Sequence, residues 1–409
     1  MNREAAKTGL FAAAGILAAA LAAWVQPESY RPDVFSDQGE PFFDRFRDVM
    51  AVKAIEVVDY SEAEATARPL KAELRRGRWI LSSHNDYPAE ARDRLAKTAG
   101  ELIDLKKEIV ASDRFEDHGR YGVIDPLDAR NPSLTGRGKR VTLRDAQGEA
   151  LAELVLGEAV KERPGYRYMR MPGQKRTYAA KTAADPSARF EDWVEGNLLR
   201  ISAADVRKMT LNSYSIDEAM GRLMNVQRTT MTRGDKDGWR IDPPGKMTGG
   251  DARAMLSTLA NLRVAGVRPK PGELGRQLKT RQLEMTLETV MSLRQRGFFI
   301  TPDGRLLANE GELVVETSRG LLYTLRFGEV VTGGGDARAA GAAPAATPAS
   351  TVKGDESRYV LVTVNYNPKL GSGADGPGGE QTAATLDARF ADWYYVISGS
   401  DFARLRGKK

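Results

Sequence analysis

The stretch "TAADPSARFEDW" at residues 182–193 returns as "TAATLDARFADW" at residues 382–393, with most positions unchanged. A string repeated in one chain marks either a doubled functional site or a duplicated unit of fold. Asp185 and Thr385 hold matching positions, and each offers the side-chain oxygen that a helix N-cap uses. Phe190 and Trp193 are three apart and share a helical face, as do Phe390 and Trp393. Arg189 and Asp192 recur at the same spacing and could pair across that helix. A buried aromatic pair beneath a cap explains the recurrence without a ligand. The string is therefore read as a helix closing each of two related units, with Trp193 and Trp393 in separate cores.

Working outward, the same order of elements appears twice. "VKAIEVVDYS" from Val52 reads as a strand and is paralleled by "VRKMTLNSYS" from Val206. "PLKAELRRGRWILSS" reads as a second strand, paralleled by "MNVQRTTMTRGDKDGWRIDPP", with Trp239 in the place of Trp79. Helical spacing follows: Pro88 in the first turn and Ala91, Leu95, Ala99 and Leu102 on one face, then Ala252, Leu256 and Leu259 in the second copy. "ELVLGEAV" is echoed by "TLRFGEVV", and "YRYMRMP" by "SRYVLVTV". A longer helix, "RQLEMTLETVMSLRQRG", belongs to the second copy alone, with Leu283, Leu287, Val290 and Met291 on its inner face.

The fold class is thus α+β: two tandem domains of strand, strand, helix, strand cluster and helix, behind an N-terminal transmembrane anchor. The divisions are 1–26 anchor or signal, 27–51 linker docking at Phe42 and Phe43, 52–205 first repeat and 206–409 second repeat. The second repeat carries a low-complexity insert at 332–357 and a glycine-rich loop at 367–381. The anchor reading rests on Arg3 and Lys7 followed by an uncharged apolar run at 9–25. A cleaved signal would use Ala20 and Ala22; an uncleaved anchor would use Trp24 at the interface. Either topology exports the body.

A net charge of +6 on 409 residues is mild and lacks the basic stripe of a nucleic-acid binder. Cysteine is absent, which excludes disulfides, thiolate zinc sites and cysteine nucleophiles. With only two histidines, His84 and His118, no histidine-rich metal site can form. No cofactor and no catalytic, cofactor-binding or metal-ligating residue is expected. "GSGADG" at Gly371 matches a dinucleotide-loop pattern, but "PGGEQ" after it is a poor helix start. "RFEDHGRYG" gathers Glu116, Asp117 and His118 on a loop, and "HNDYP" at His84 reads as a polar turn.

The segments "GRWILSSHNDYPAEARDRLAKTAGELIDL", "YGVIDP", "LVLGEAV", "YRYMRMPGQKRTYA", "RFEDWVEGNLLRIS" and "GWRIDPP" resemble the envelope proteins grouped as domain of unknown function 4340. The resemblance covers roughly residues 35–330, and "SDQGEPFFDRF" is similar to planctomycete-type members. It implies a membrane-anchored accessory subunit, with an ABC transporter permease or auxiliary subunit of the gliding-motility export type as partner. It brings no catalytic residues with it. The expected function is a non-catalytic scaffold of the cell envelope, single-pass in the bacterial cytoplasmic membrane with its body in the periplasm. The alternative is an exported hydrolase of an envelope polymer using Asp113, Glu116 and Asp117. An enzyme would gather its carboxylates in a deep pocket with opposed pKa shifts. A scaffold would show shallow grooves with exposed apolar residues.

Overall fold

The computed structural model describes Gly15 and residues 37–407, apart from 218–221, 235–237, 246, 281–285, 302–303, 332–355 and 371–375. The apolar run at 9–25 lies, but for Gly15, outside the described residues, as does most of the insert at 332–357. No helix among the described residues is long and apolar enough to cross a membrane.

The chain enters through a clamp. Phe42, Phe43 and Phe46 are buried, Pro41 bridges to Lys106, and Asp37 accepts from Arg176 at 3.0 Å and from the Tyr178 hydroxyl. Burial and the hydrogen bond to Asp37 push the Tyr178 phenol up to about 12, so it stays a donor.

Strands β1 (Ala54–Ser61), β2 (Thr66–Arg75) and β3 (Arg78–Leu81) form a meander, followed by β4 (Tyr87–Pro88), helix α1 (Arg92–Ile103) and β5 (Ile109–Ser112). Then β6 (Lys139–Arg144), β7 (Ala150–Ala159), β8 (Tyr166–Arg170) and β9 (Thr177–Lys181) complete a nine-stranded sheet, ordered β4-β3-β2-β1-β6-β7-β8-β9-β5. The single strand expected over "PLKAELRRGRWILSS" is a hairpin. Arg76 and Gly77 both have positive φ (50° and 77°), the backbone of a tight I′ turn between β2 and β3.

The second half runs β10 (Val206–Asp217), β11 (Arg222–Arg233), β12 (Trp239–Asp242), α2 (Gly249–Ala260), β13 (Gly266–Pro269), α3 (Gly272–Thr280) and α4 (Leu287–Arg294). A small pair, β14 (Phe298–Ile300) and β15 (Leu306–Ala308), precedes β16 (Glu312–Thr317), β17 (Leu321–Val330) and β18 (Arg358–Tyr366). Helix α5 (Gly376–Ala391), β19 (Trp393–Ile397) and α6 (Gly399–Arg406) end the chain. The sheet order is β12-β11-β10-β16-β17-β18-β19-β13. With β4 set aside, the two orders coincide strand for strand. Every strand pairing in both sheets is antiparallel, and the fold is mixed α+β.

The helix faces read from spacing are buried: Ala91, Leu95, Ala99 and Leu102 against the first sheet, Ala252, Leu256 and Leu259 against the second. Pro88, however, lies in β4, and α1 starts at Arg92. A reciprocal capping box between Thr248 and Asp251 starts α2.

The repeated dozen folds in two ways. Residues 182–193 follow β9 as extended chain with one 3-10 turn, Phe190–Asp192, so no helix closes the first half. Residues 382–391 lie inside α5, ahead of the last strand, and Trp393 opens β19. Neither expected cap forms. Asp185 instead pairs with Lys139 at 2.6 Å, and the Thr385 hydroxyl donates to the Gln381 carbonyl within the helix. The reason is Pro186, which disfavours helix at Asp185 and lacks an N–H; Leu386 has neither defect. The pairing of Arg189 with Asp192 does form, at 3.8 Å across the 3-10 turn.

The halves also share one core. Buried residues from both sheets and from α1, α2, α5 and α6 form a single cluster. Tyr87 of the first half packs on Phe190 at 5.6 Å and on Trp393 at 5.1 Å, so the two tryptophans do not line separate cores. Glu195 ties the seam, accepting from Arg200 at 2.7 Å and pairing with Arg389 at 2.9 Å; these cations, Arg200 foremost, hold its carboxyl below the usual range.

Candidate functional site

The sequence left one correspondence unseen. Gly122 and Gly297 both have positive φ (65° and 77°), and each begins a turn laid across the "GE" of β7 or β17. The Glu158 amide donates to the Tyr121 carbonyl at 3.1 Å; the Glu329 amide donates to the Arg296 carbonyl at 2.9 Å. A Cβ on Gly157 or Gly328 would strike those same carbonyls. So "YGV" at 121–123 and "RGF" at 296–298 are the same feature, legible as a glycine turn paired with a glycine-glutamate strand. The chain before "RGF" carries α3 and α4, whereas the chain before "YGV" carries only the Phe115–Asp117 turn, so the helix expected for the second copy alone has no helical counterpart in the first half. Gly157→Ala and Gly328→Ala should each lose about 1–3 kcal/mol, because backbone oxygens cannot move aside. Gly196→Ala, which meets nothing within 4 Å, serves as the control in urea melts.

Arg296 of this turn also lines an open groove on the second half. Helix α4 is short, and it buries Thr289, Ser292 and Leu293 while leaving Leu287 and Met291 exposed. The inner face expected for this helix is thus the outer one, and Leu283 lies outside the described residues. Opposite α4 stand Pro269, Lys270 and Pro271, and between the two walls runs an open groove of about 640 Å³.

The groove floor is cationic, with buried aromatic rings behind it. Arg296 lies 4.6 Å from the Tyr394 ring centroid and donates to the Ser292 carbonyl at 2.8 Å; its buried Nε has no hydrogen-bond partner. The Tyr394 hydroxyl meets Ser292 Oγ at 3.0 Å, and its ring stacks on Phe298 at 5.9 Å. Burial pushes the Tyr394 phenol up, so it stays neutral. Lys270, itself buried, donates to the Phe390 carbonyl at 2.9 Å. Glu288 adds a carboxylate to the lining. Apolar walls over a fixed floor can seat a side chain from another molecule.

Arg170 is buried and donates to the Val123, Met171 and Gln174 carbonyls, holding the 121–123 turn from beneath. His118 is buried with its ring bonded to the Lys175 carbonyl at 2.7 Å. The candidate hydrolase carboxylates do not converge. Asp113 pairs with Arg176 at 3.2 Å and Lys175 at 3.6 Å, Glu116 with Arg114 at 3.5 Å, and Asp117 accepts from Ser112 at 2.5 Å. The Arg176 hydrogen bond lowers the Asp113 pKa; Glu116 is lowered by its own backbone amide, then by Arg114. Both shifts run the same way, unlike an acid and base set apart by environment.

His84 closes the Ser82–His84 turn, as expected, with its imidazole turned inward and away from solvent. It is buried, 2.8 Å from Ser83 Oγ, and its ring lies 4.9 Å from Phe190. Of "GSGADG", residues 371–375 lie outside the described residues. Yet "PGGEQ" does begin α5, against expectation, with Pro377 in the first turn where its missing N–H costs nothing. Gly379 is needed there because a Cβ would meet the Tyr366 ring. Strands β18 and β19 around α5 are antiparallel, so no parallel dinucleotide-binding unit exists here.

Fold and site together define an α+β protein of two like-ordered antiparallel sheets, fused through one core and opening a groove on the second. The chain belongs to the family described as a domain of unknown function (DUF4340), whose model matches residues 79–284. That match starts in β3 and ends beyond α3, so it takes in parts of both halves. No curated protein and no solved structure matches the chain significantly.

Proposed function

We propose that the protein is a non-catalytic accessory or scaffold of the cell envelope, anchored through residues 9–25 in the cytoplasmic membrane, its body in the periplasm, serving an ABC-type exporter. The clamp at Asp37 carries this reading. The residues between 25 and 37 span at most about 40 Å, so a body fastened at Asp37, Phe42 and Phe43 is held close to the bilayer. Such fixation suits a subunit that must meet a membrane partner. The open groove suits protein contact, and the planctomycete-type resemblance and the transporter association stand as part of the same proposal. The matching strand orders further support descent of residues 52–205 and 206–409 from one duplicated unit.

The full-length chain should resist carbonate extraction and co-purify an ABC-type permease from mild detergent. A chain lacking residues 1–26 should be released. A full-length chain that washes free, or one that yields no permease, would overturn the proposal. Polymer hydrolysis that disappears in Asp113→Asn would establish the enzyme instead.

A further inference from the structure

We propose that the groove beside α4 receives the Phe115 turn of a second copy of this chain, joining copies head to tail. Phe115 is 61% exposed, at the tip of the Phe115–Asp117 turn. It is flanked by Arg114 and Glu116, whose side chains are each 72% exposed and meet at only 3.5 Å. One edge of the ring meets His118 at 5.4 Å, and burying the part left exposed between the two charges would be favourable in proportion to its apolar area.

The groove is its complement. Pro269, Pro271, Leu287 and Met291 supply apolar walls, with ample volume for one aromatic ring. Glu288 lies near the start of α4 and Arg296 just past its end, about 12 Å apart at the helix rise. Glu116 can reach toward Arg296 while Arg114 turns to Glu288, exchanging one weak exposed pair for two across the contact. Arg296 lines the groove and is only half-buried, so the floor is cationic where the carboxylate arrives.

Each half carries one partner of the contact: the Phe115 turn precedes "YGV" in the first, and α4 precedes "RGF" in the second. The contact is therefore heterologous, and it builds a ring or an open row of copies. One ring in one cleft gives weak association in solution, and a shared membrane would raise the effective concentration.

Absence of cysteine makes the test direct. Full-length Arg114→Cys and Glu288→Cys copies, mixed in lipid vesicles and mildly oxidised, should form a mixed disulfide dimer. The double variant should form a ladder, and Leu134→Cys, exposed elsewhere, should crosslink with Glu288→Cys far less. Phe115→Ser should weaken association about tenfold, as a central aromatic anchor does. Arg114→Glu and Glu288→Arg should each weaken it, and mixing the two variants should restore it. Crosslinking no greater than the control, or charge reversal without rescue, would overturn the proposal. So would monomeric protein whose Met291→Asp form loses permease capture, which would assign the groove to the transporter.

Discussion

Trp193→Ala should destabilise the whole body by about 3–5 kcal/mol, the usual cost of deleting a large buried aromatic. Trp193 is fully buried, its Nε1 donates to the Ser187 carbonyl at 2.8 Å, and its carbonyl accepts from the Glu90 amide at 2.7 Å. Removing the indole opens a cavity and leaves the Ser187 carbonyl without that donor. Because the halves share one cluster, both should unfold in one transition. Trp393→Ala should cost less, about 2–3 kcal/mol, since this side chain is only partly buried. Through Phe190 and Tyr87 the two sites are linked, so the double variant should depart from additivity by at least about 0.5 kcal/mol. Urea melts followed separately by probes in each sheet decide the matter. Two separated transitions, or strict additivity, would show that the halves are energetically independent.

The second large effect is a dependence on pH. Burial, and then the positive Arg268 from the other half, push the His84 pKa down to about 4 from an ordinary 6.5. Above pH 6.5 the imidazole is neutral whether the chain is folded or not, and it takes nothing from stability. Between pH 6.5 and 4 the unfolded chain binds a proton that the folded chain refuses. Stability should therefore fall with acidification by up to about 3 kcal/mol by pH 4, at 1.36 kcal/mol per unit. Carboxylates with lowered pKa, such as Asp37 and Glu195, add their own loss at lower pH. They remain in a His84→Gln variant, so the difference between its profile and the parent's isolates the histidine. Parallel profiles from pH 8 to 4 would refute the assignment.

Much of the fold was legible where pattern alone decides. The faces of α1 and α2 follow from apolar spacing, and the like order of strands follows from paired strings such as "LGEA" and "FGEV". The repeated dozen misled because identity at most positions hides the weight of a few. Pro186 and Ser187 against Leu386 and Asp387 decide between extended chain and helix, while the shared aromatics only decide burial. The groove was illegible for a different reason. Leu287 and Met291 have inward-facing spacing, but the face that turns inward carries Thr289, Ser292 and Leu293, fixed by Tyr394, far along the chain. Periodicity reports that one side of a helix is apolar; it does not report which side the rest of the protein covers.

The clamp at Asp37 also decides how the molecule bears load. A pull on the N-terminal tail passes into Arg176 and Tyr178 at β9, and through Pro41 to Lys106 beside β5, at the far edge of the first sheet. The final segment leaves from α6, packed on the second half. Tension between the chain ends therefore crosses both sheets and the seam at Glu195 before it finds an exit. The tail should peel first, giving up Asp37 to Phe46 at low force, and the joined sheets should then yield together at a higher one. Single-molecule extension records would show these as one small step and one large step; Arg176→Ala should erase the small one and leave the large one in place.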